Sequence, residues 1–399
     1  MQRKRRLIPG DRRITIATFV LIIFGSLMIA SAEMGNAVGD TAYLSGIITR
    51  QAIYVVVGTA AYFFLLFVRV QRLALFIYIG TYIGIMGSLA ICRAFPPIGG
   101  AYAWIPLPGG ATIQPSEFAK VFMIVMASKM LGQDRGENNV RYFWAYVAMA
   151  FVYFFIILVV QHDLGSAIVL FIICYCAALI PGYKELKKTH FYMFILILIV
   201  IALALFVMSP LFTEFLKKHA DNYMVGRFLA SADPFLYQYD RGYHVIMSLV
   251  SFANGGWLGL GYGNSIHKYM NFPNPSNDVI LPVIVEELGI AGFSGLVLFY
   301  GLMLYPLITG SFRARFTSSK IILLGVFIYF ITHFILNVGG VSGLIPLTGV
   351  PLLLISSGGS SMVASMAALG MSQNELIRNG LTEHEDNSRQ IQENTDQDA

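Results

Sequence analysis

The chain has 399 residues, of which 56% are hydrophobic and only 12% charged. A soluble globular domain carries roughly a quarter of its residues as charges to cover its surface, so most of this chain is solvated by lipid. The net charge of +5 is spread over short loops, with no basic stripe or stacking platform, which argues against nucleic acid as a partner. Cys92 falls at a span end and Cys174 and Cys176 fall inside one, so no disulfide framework is expected.

In chain order, residues 1–13 form a basic N-terminus. The apolar run behind it lacks a small-residue cleavage pattern and reads as a retained span. Runs long enough for a hydrocarbon core of about 30 Å lie at Ile14 to Ser31, Ala52 to Val68, Leu73 to Ile91, Phe118 to Met130, Phe143 to Val160, Leu164 to Ile180, Phe191 to Met208, Val279 to Tyr305, Ile321 to Leu336 and Val350 to Leu369. The expected fold is therefore an all-α integral membrane protein of about ten helices, with a membrane domain over 14–372. With the N-terminus in the cytoplasm, the basic loops around Arg69, Arg135, Lys184 to Lys188 and Arg313 to Lys320 all fall inside, as the positive-inside rule requires. Both termini are then cytoplasmic. The acidic, polar segment 373–399 is expected to be a disordered tail, and 209–278 a large extracellular loop, too long to be a simple connector.

Loops on a rigid scaffold are where chemistry usually sits. Glu117 and Lys120, behind Pro115 and Ser116, share one face of a starting helix and can pair; charges this costly in a membrane helix serve a pathway or a structural pair. Asp163, in the turn Gln161-His162-Asp163, suits the N-cap of the next helix. In the long loop, Asp233 before Pro234 reads as an N-cap. Asp240 precedes an expected helix end at Arg241-Gly242, where the negative end of the dipole would favour a general base. The glycines of Gly255 to Gly263 would let backbone amides approach a phosphate or sugar, although the spacing is not that of a nucleotide site. Glu286 and Glu287 open an apolar run and call for a buried polar network. The segment from Asn337 to Ser361, with its glycines, prolines and serines, suits a broken helix lining a cavity or close packing of small residues.

Several of these elements together resemble the SEDS family, the group of FtsW, RodA and SpoVE. They are Gln114 to Lys120 (QPSE-x-x-K), Gln161 to Ser166 (QHDLGS against the family's QPDLGT), Gly242-Tyr243 to Ser265, Glu286-Glu287-Leu288-Gly289, and Ile345 to Pro351 with Ser356 to Ser361. The resemblance implies a ten-helix peptidoglycan glycosyltransferase of the inner membrane. It would polymerise lipid II on the extracellular side beside a class B penicillin-binding protein and other divisome membrane proteins. Gly263 to Lys268 (GNSIHK) is similar to the GNSIQK element of the FtsW branch, which points to division; an elongation polymerase of the RodA kind, a lipid II flippase and a non-catalytic division scaffold are the alternatives.

The resemblance also assigns roles. The family's essential aspartate is expected five residues before the Gly of the Gly-Tyr pair, where this chain has Tyr237; Asp240 is then the catalytic candidate and Asp233 the fallback. A second departure is Asn274, where the family favours an acid, while Asp278 is kept. Substrate-binding candidates are Glu117, Lys120, Arg227, Arg241, Asn264, Ser265, Lys268, Asp278, Glu286, Ser356 and Ser360. The leaving diphosphate would be met by Arg227, Lys120, Arg241 or a divalent cation, Mg or Mn, for which no ligand set is assigned.

Overall fold

The computed structural model describes residues 10–38, 40–207, 235, 242–269 and 275–397. Every apolar run coincides at least in part with a helix: α1 (Arg12–Glu33), α2 (Thr41–Phe67), α3 (Leu75–Ile91), α4 (Pro115–Leu131), α5 (Asn139–Phe155), α6 (Leu164–Leu179) and α7 (Lys187–Val207). Beyond them, α8 (Tyr243–Gly255) lies within the long loop, and α9 (Ile280–Arg313), α10 (Thr317–Val341) and α11 (Gly359–Gln397) complete the bundle. Among the described residues seven helical stretches are long and apolar enough to cross a membrane. The shorter α4 sits inside the bundle against α3, α5, α6, α10 and α11, which lets it carry Ser116, Glu117, Lys120 and Ser128 fully buried. By contrast α3 and α7 turn most of their apolar side chains outward, as lipid-facing helices do.

Short acids fix the helix starts. Asp11 accepts from Arg13 N ahead of α1, Asp40 from Ala42 N and Tyr43 N ahead of α2, and Asp163 from Ser166 N ahead of α6. Pro115 occupies the first turn of α4, where its missing N–H costs nothing. The loop between α3 and α4 folds as a small hairpin, β1 (Ile105–Pro106) against β2 (Thr112–Ile113).

Two expectations are corrected. The last span does not begin at Val350: residues 342–358 are non-helical and α11 starts at Gly359. Pro346 and Pro351 interrupt a helical ladder, and Gly349 and Leu354 adopt positive φ. Neighbouring side chains satisfy the irregular backbone, Asn337 Nδ2 donating to Val350 O at 2.9 Å and Ser356 Oγ accepting from Leu352 N at 2.9 Å. Second, the tail expected to be structureless from 373 continues α11. Gln373 is buried and exchanges hydrogen bonds with the backbone of Asp11, and Glu375 accepts from Gln71 Nε2 at 2.5 Å and Ser319 Oγ at 2.6 Å. Gly242 is the N-cap of α8; Asp240 and Arg241, with the helix end expected at them, lie outside the described residues.

Candidate functional site

The loops 93–114 and 161–163 and the described segments 256–269 and 275–279 gather at the end of the bundle where α1 finishes and α4, α6 and α9 begin. Their geometry starts from one glycine. Gly289 breaks α9 with φ 65° and ψ −167°, a conformation reserved for glycine. The backbone groups freed at the kink are taken up by the glycine-rich segment after α8. Leu260 N and Gly261 N donate to Glu286 O and Glu287 O, while Ile290 N and Ala291 N donate to Gly256 O and Trp257 O. A Cβ at Gly255 would lie 2.0 Å from Val285 O and one at Gly259 2.2 Å from Glu287 O, so these two glycines serve close approach to the chain's own helix.

This splice holds Glu286 and Glu287 in a network that leaves neither accessible. Glu287 accepts from Ser31 Oγ at 2.6 and 2.7 Å, from Lys268 Nζ at 2.9 Å and from Gly263 N at 3.0 Å. Glu286 accepts from Ser265 Oγ at 2.5 Å and Asn254 Nδ2 at 3.2 Å, and its Oε1 is 2.7 Å from His267 Nδ1. Two carboxylates can be this deep because each is surrounded by donors. Three substrate-binding candidates, Ser265, Lys268 and Glu286, thus bond to one another's neighbourhood, whereas Asn264 is exposed and donates to Leu260 O. Ser31 and His267 were not singled out from the sequence. His267 stands inside the GNSIHK element and was legible there; Ser31, the last residue of an apolar run, gave no signal.

A second buried cluster lies within the bundle. Lys120 Nζ is 2.7 Å from Glu117 Oε1, both side chains being about 1% exposed, and Tyr329 Oη donates to Glu117 Oε2 at 3.1 Å. His333 Nδ1 is 3.1 Å from Pro351 O, which requires that nitrogen to carry the proton and leaves Nε2 as the acceptor facing Lys120 at 3.5 Å. The expected pairing of Glu117 with Lys120 is present, and it is closed off from the loops.

Between the two clusters is a polar mouth. Gln114 N donates to Ser360 Oγ at 2.8 Å and Gln114 Nε2 to Asp163 Oδ2 at 3.0 Å. Gly165 packs so tightly against Thr348 O that a Cβ would sit 2.5 Å from it, and on the next residue Gly349 faces the Asp278 carboxylate. Asp278 is half-buried, and its carbonyl accepts from Asn337 Nδ2 at 2.7 Å. The buried Asn337 Oδ1 and the Thr348 hydroxyl find no hydrogen-bond partner. Unfilled polar atoms beside a positioned carboxylate are what a polar ligand would complete. Of the predicted site residues, Ser360 is joined through Gln114 to Asp163 and Asp278 stands beside Gly349; Ser356 is buried in the turn below. Arg227, Asp233, Asp240 and Arg241 lie outside the described residues.

A carboxylate in this position can accept a proton from a hydroxyl. Among the described residues no three His, Cys, Asp or Glu side chains converge to hold a metal ion.

Residues 12–376 match the family described as cell cycle protein, FtsW/RodA/SpoVE. The probable peptidoglycan glycosyltransferase FtsW of Bacillus subtilis (strain 168) is 29% identical over 380 residues, covering 93% of this chain and 91% of that protein. The protein of the same description from Tolumonas auensis is 30% identical over 393 residues, covering 96% and 95%. Among solved structures, a chain from work on structural coordination of polymerization and crosslinking by a peptidoglycan synthase complex superposes with a TM-score of 0.66. It has 22% identity and covers 93% of this chain and 98% of that one.

Proposed function

Because the chain belongs to the FtsW/RodA/SpoVE family of cell cycle proteins, we propose that it is a peptidoglycan glycosyltransferase that lengthens glycan strands during septal wall synthesis. The observation that carries this reading is similarity over nearly the whole chain to proteins of that activity, with Gln114, Asp163 and Ser360 from separate family elements bonded together. The substrate is lipid II and the partner a class B penicillin-binding protein; the fold shared with a chain of a peptidoglycan synthase complex supports such a partner. Both termini face the cytoplasm, and the mouth opens on the extracellular side of the inner membrane, as the distribution of Lys and Arg favours.

In the proposed step a carboxylate removes the proton from the GlcNAc 4-hydroxyl of one lipid II. That oxygen attacks the MurNAc anomeric carbon of the growing chain from the face opposite undecaprenyl diphosphate. The bond to the diphosphate breaks, its electron pair leaves with the lipid, and the anomeric centre inverts. Three carboxylates qualify as the base: Asp240 and, as its fallback, Asp233 by their place in the chain, and Asp278 by geometry, since it is half-buried and its carbonyl is held by Asn337. Arg227 and Arg241 are the cations for the diphosphate, because Lys120 is already neutralised by Glu117.

Purified protein in detergent, given fluorescent lipid II, tests the reading. The parent makes strands with no bilayer to cross, which a flippase would not. Alanine at the base lowers the rate by about 10²–10⁴-fold, and comparison of Asp240→Ala, Asp233→Ala and Asp278→Ala identifies it. Undiminished strand formation by all three variants would remove general-base catalysis from the scheme.

A further inference from the structure

The antiparallel register of α1 and α9 sets a depth scale. At one end the Arg13 guanidinium lies over the Tyr305 ring, 5.1 Å from its centroid; at the other Ser31 Oγ donates to Glu287. From Arg13 to Ser31 the helix rises about 27 Å at 1.5 Å per residue, close to the roughly 30 Å of a hydrocarbon core. Ser31 and Glu287 therefore mark the apolar edge at the loop end.

The segment after α8 passes below that edge. Tyr262 Oη donates to Leu27 O at 2.9 Å, one turn of α1 inward from Ser31. Trp257 O accepts from Ala291 N, one turn of α9 inward from Glu287. Residues 255–263 contain no charged side chain. The backbone bonds to the kinked helix satisfy Gly256 O, Trp257 O, Leu260 N and Gly261 N, which is the condition for irregular backbone at membrane depth. Among the described residues none covers the tip. Trp257 is 77% and Leu258 81% exposed, beside the outward face of Ile290 on α9. Tryptophan and tyrosine at the edge with leucine beyond them is the composition of an interfacial anchor.

We propose that residues 256–263 form a re-entrant hairpin that inserts Trp257 and Leu258 among the acyl chains of the leaflet at the loop end. Bulk membrane lipid is the partner. The hairpin ties the stretch that follows, from Asn264 to Lys268, to the membrane surface through Gly263 N and Ser265 Oγ on the two glutamates. The proposal does not depend on which reaction the protein catalyses.

The chain has three tryptophans, Trp104, Trp144 and Trp257, so Trp104→Phe/Trp144→Phe leaves Trp257 as the only one. The full chain carrying this change is reconstituted in phosphatidylcholine vesicles in which acyl-brominated lipid replaces ordinary lipid. Its emission is expected to fall as the brominated fraction rises, more with bromines near the headgroup than near the chain ends, and to resist iodide in the water. Quenching by iodide without quenching by brominated lipid would make the segment an aqueous loop and overturn the proposal. Protection from both would put another protein chain on this face, which overturns it equally. If the double variant does not fold, Trp257→Phe in the otherwise unchanged chain gives the same answer by difference: the lipid-quenched part of the emission is lost, and retention of all of it refutes the insertion.

Discussion

Replacing Lys120 by methionine removes the ammonium 2.7 Å from Glu117 and leaves a carboxylate, about 1% exposed, with the Tyr329 hydroxyl at 3.1 Å as its remaining donor. Methionine keeps most of the volume, so packing changes little and electrostatics dominate. Removing one partner of a buried ion pair costs about 3–5 kcal/mol, a large part of the roughly 5–15 kcal/mol that separates folded from unfolded chains. Since about 1.4 kcal/mol is a tenfold change, the folded population should fall relative to the unfolded by two to three orders of magnitude or slightly more. The double variant Glu117→Gln/Lys120→Met should recover most of that loss, because the glutamine oxygen still accepts from Tyr329 and no isolated charge remains. Thermal unfolding in detergent, followed by size-exclusion chromatography of the surviving fraction, reads the three midpoints. If Lys120→Met unfolds at the parent's temperature, or the double variant is no better than the single one, the pair is not the structural element described here. A double variant that regains stability but makes no strands from lipid II would return Lys120 to the substrate-binding role suggested by its motif.

Gly259 adopts φ +76° with its missing Cβ 2.2 Å from Glu287 O, whereas Gly263 adopts φ +84° with open space around it. Gly263→Ala should carry only the strain of the left-handed backbone, about 1 kcal/mol, and Gly259→Ala clearly more because backbone must move; equal midpoints for the two would contradict the splice. His162 sits at φ +57°, a value closed to proline, so His162→Pro should lower the midpoint while His162→Gly does not, and tolerance of proline would mean the turn is built differently. Asp163→Ala loses the cap on α6 and a contact from Gln114; a loss of about 0.5–2 kcal/mol is expected from the cap, and an unchanged denaturation midpoint would show that the carboxylate holds neither.

Features resting on near neighbours were legible from the residues alone. Hydropathy located the runs that become helices, Asp163 and Pro115 announced the starts of α6 and α4, and the three-residue spacing of Glu117 and Lys120 sufficed to pair them, because each is decided within a turn or two of backbone. The tertiary structure decided what depends on partners far apart in the chain. Ser31 meets Glu287 and Lys268, His333 turns toward Lys120, Gln114 meets Ser360, and Gln373 closes on Asp11. The last of these draws into the bundle the first residues of a segment whose composition alone implied disorder. The glycines after α8 suggested close approach but not what is approached, since the answer is the kink at Gly289, some thirty residues further on. A hydrogen bond needs two groups within about 3 Å, and for pairs so remote in sequence only the folded packing of α1, α4, α9, α10 and α11 says which two those are.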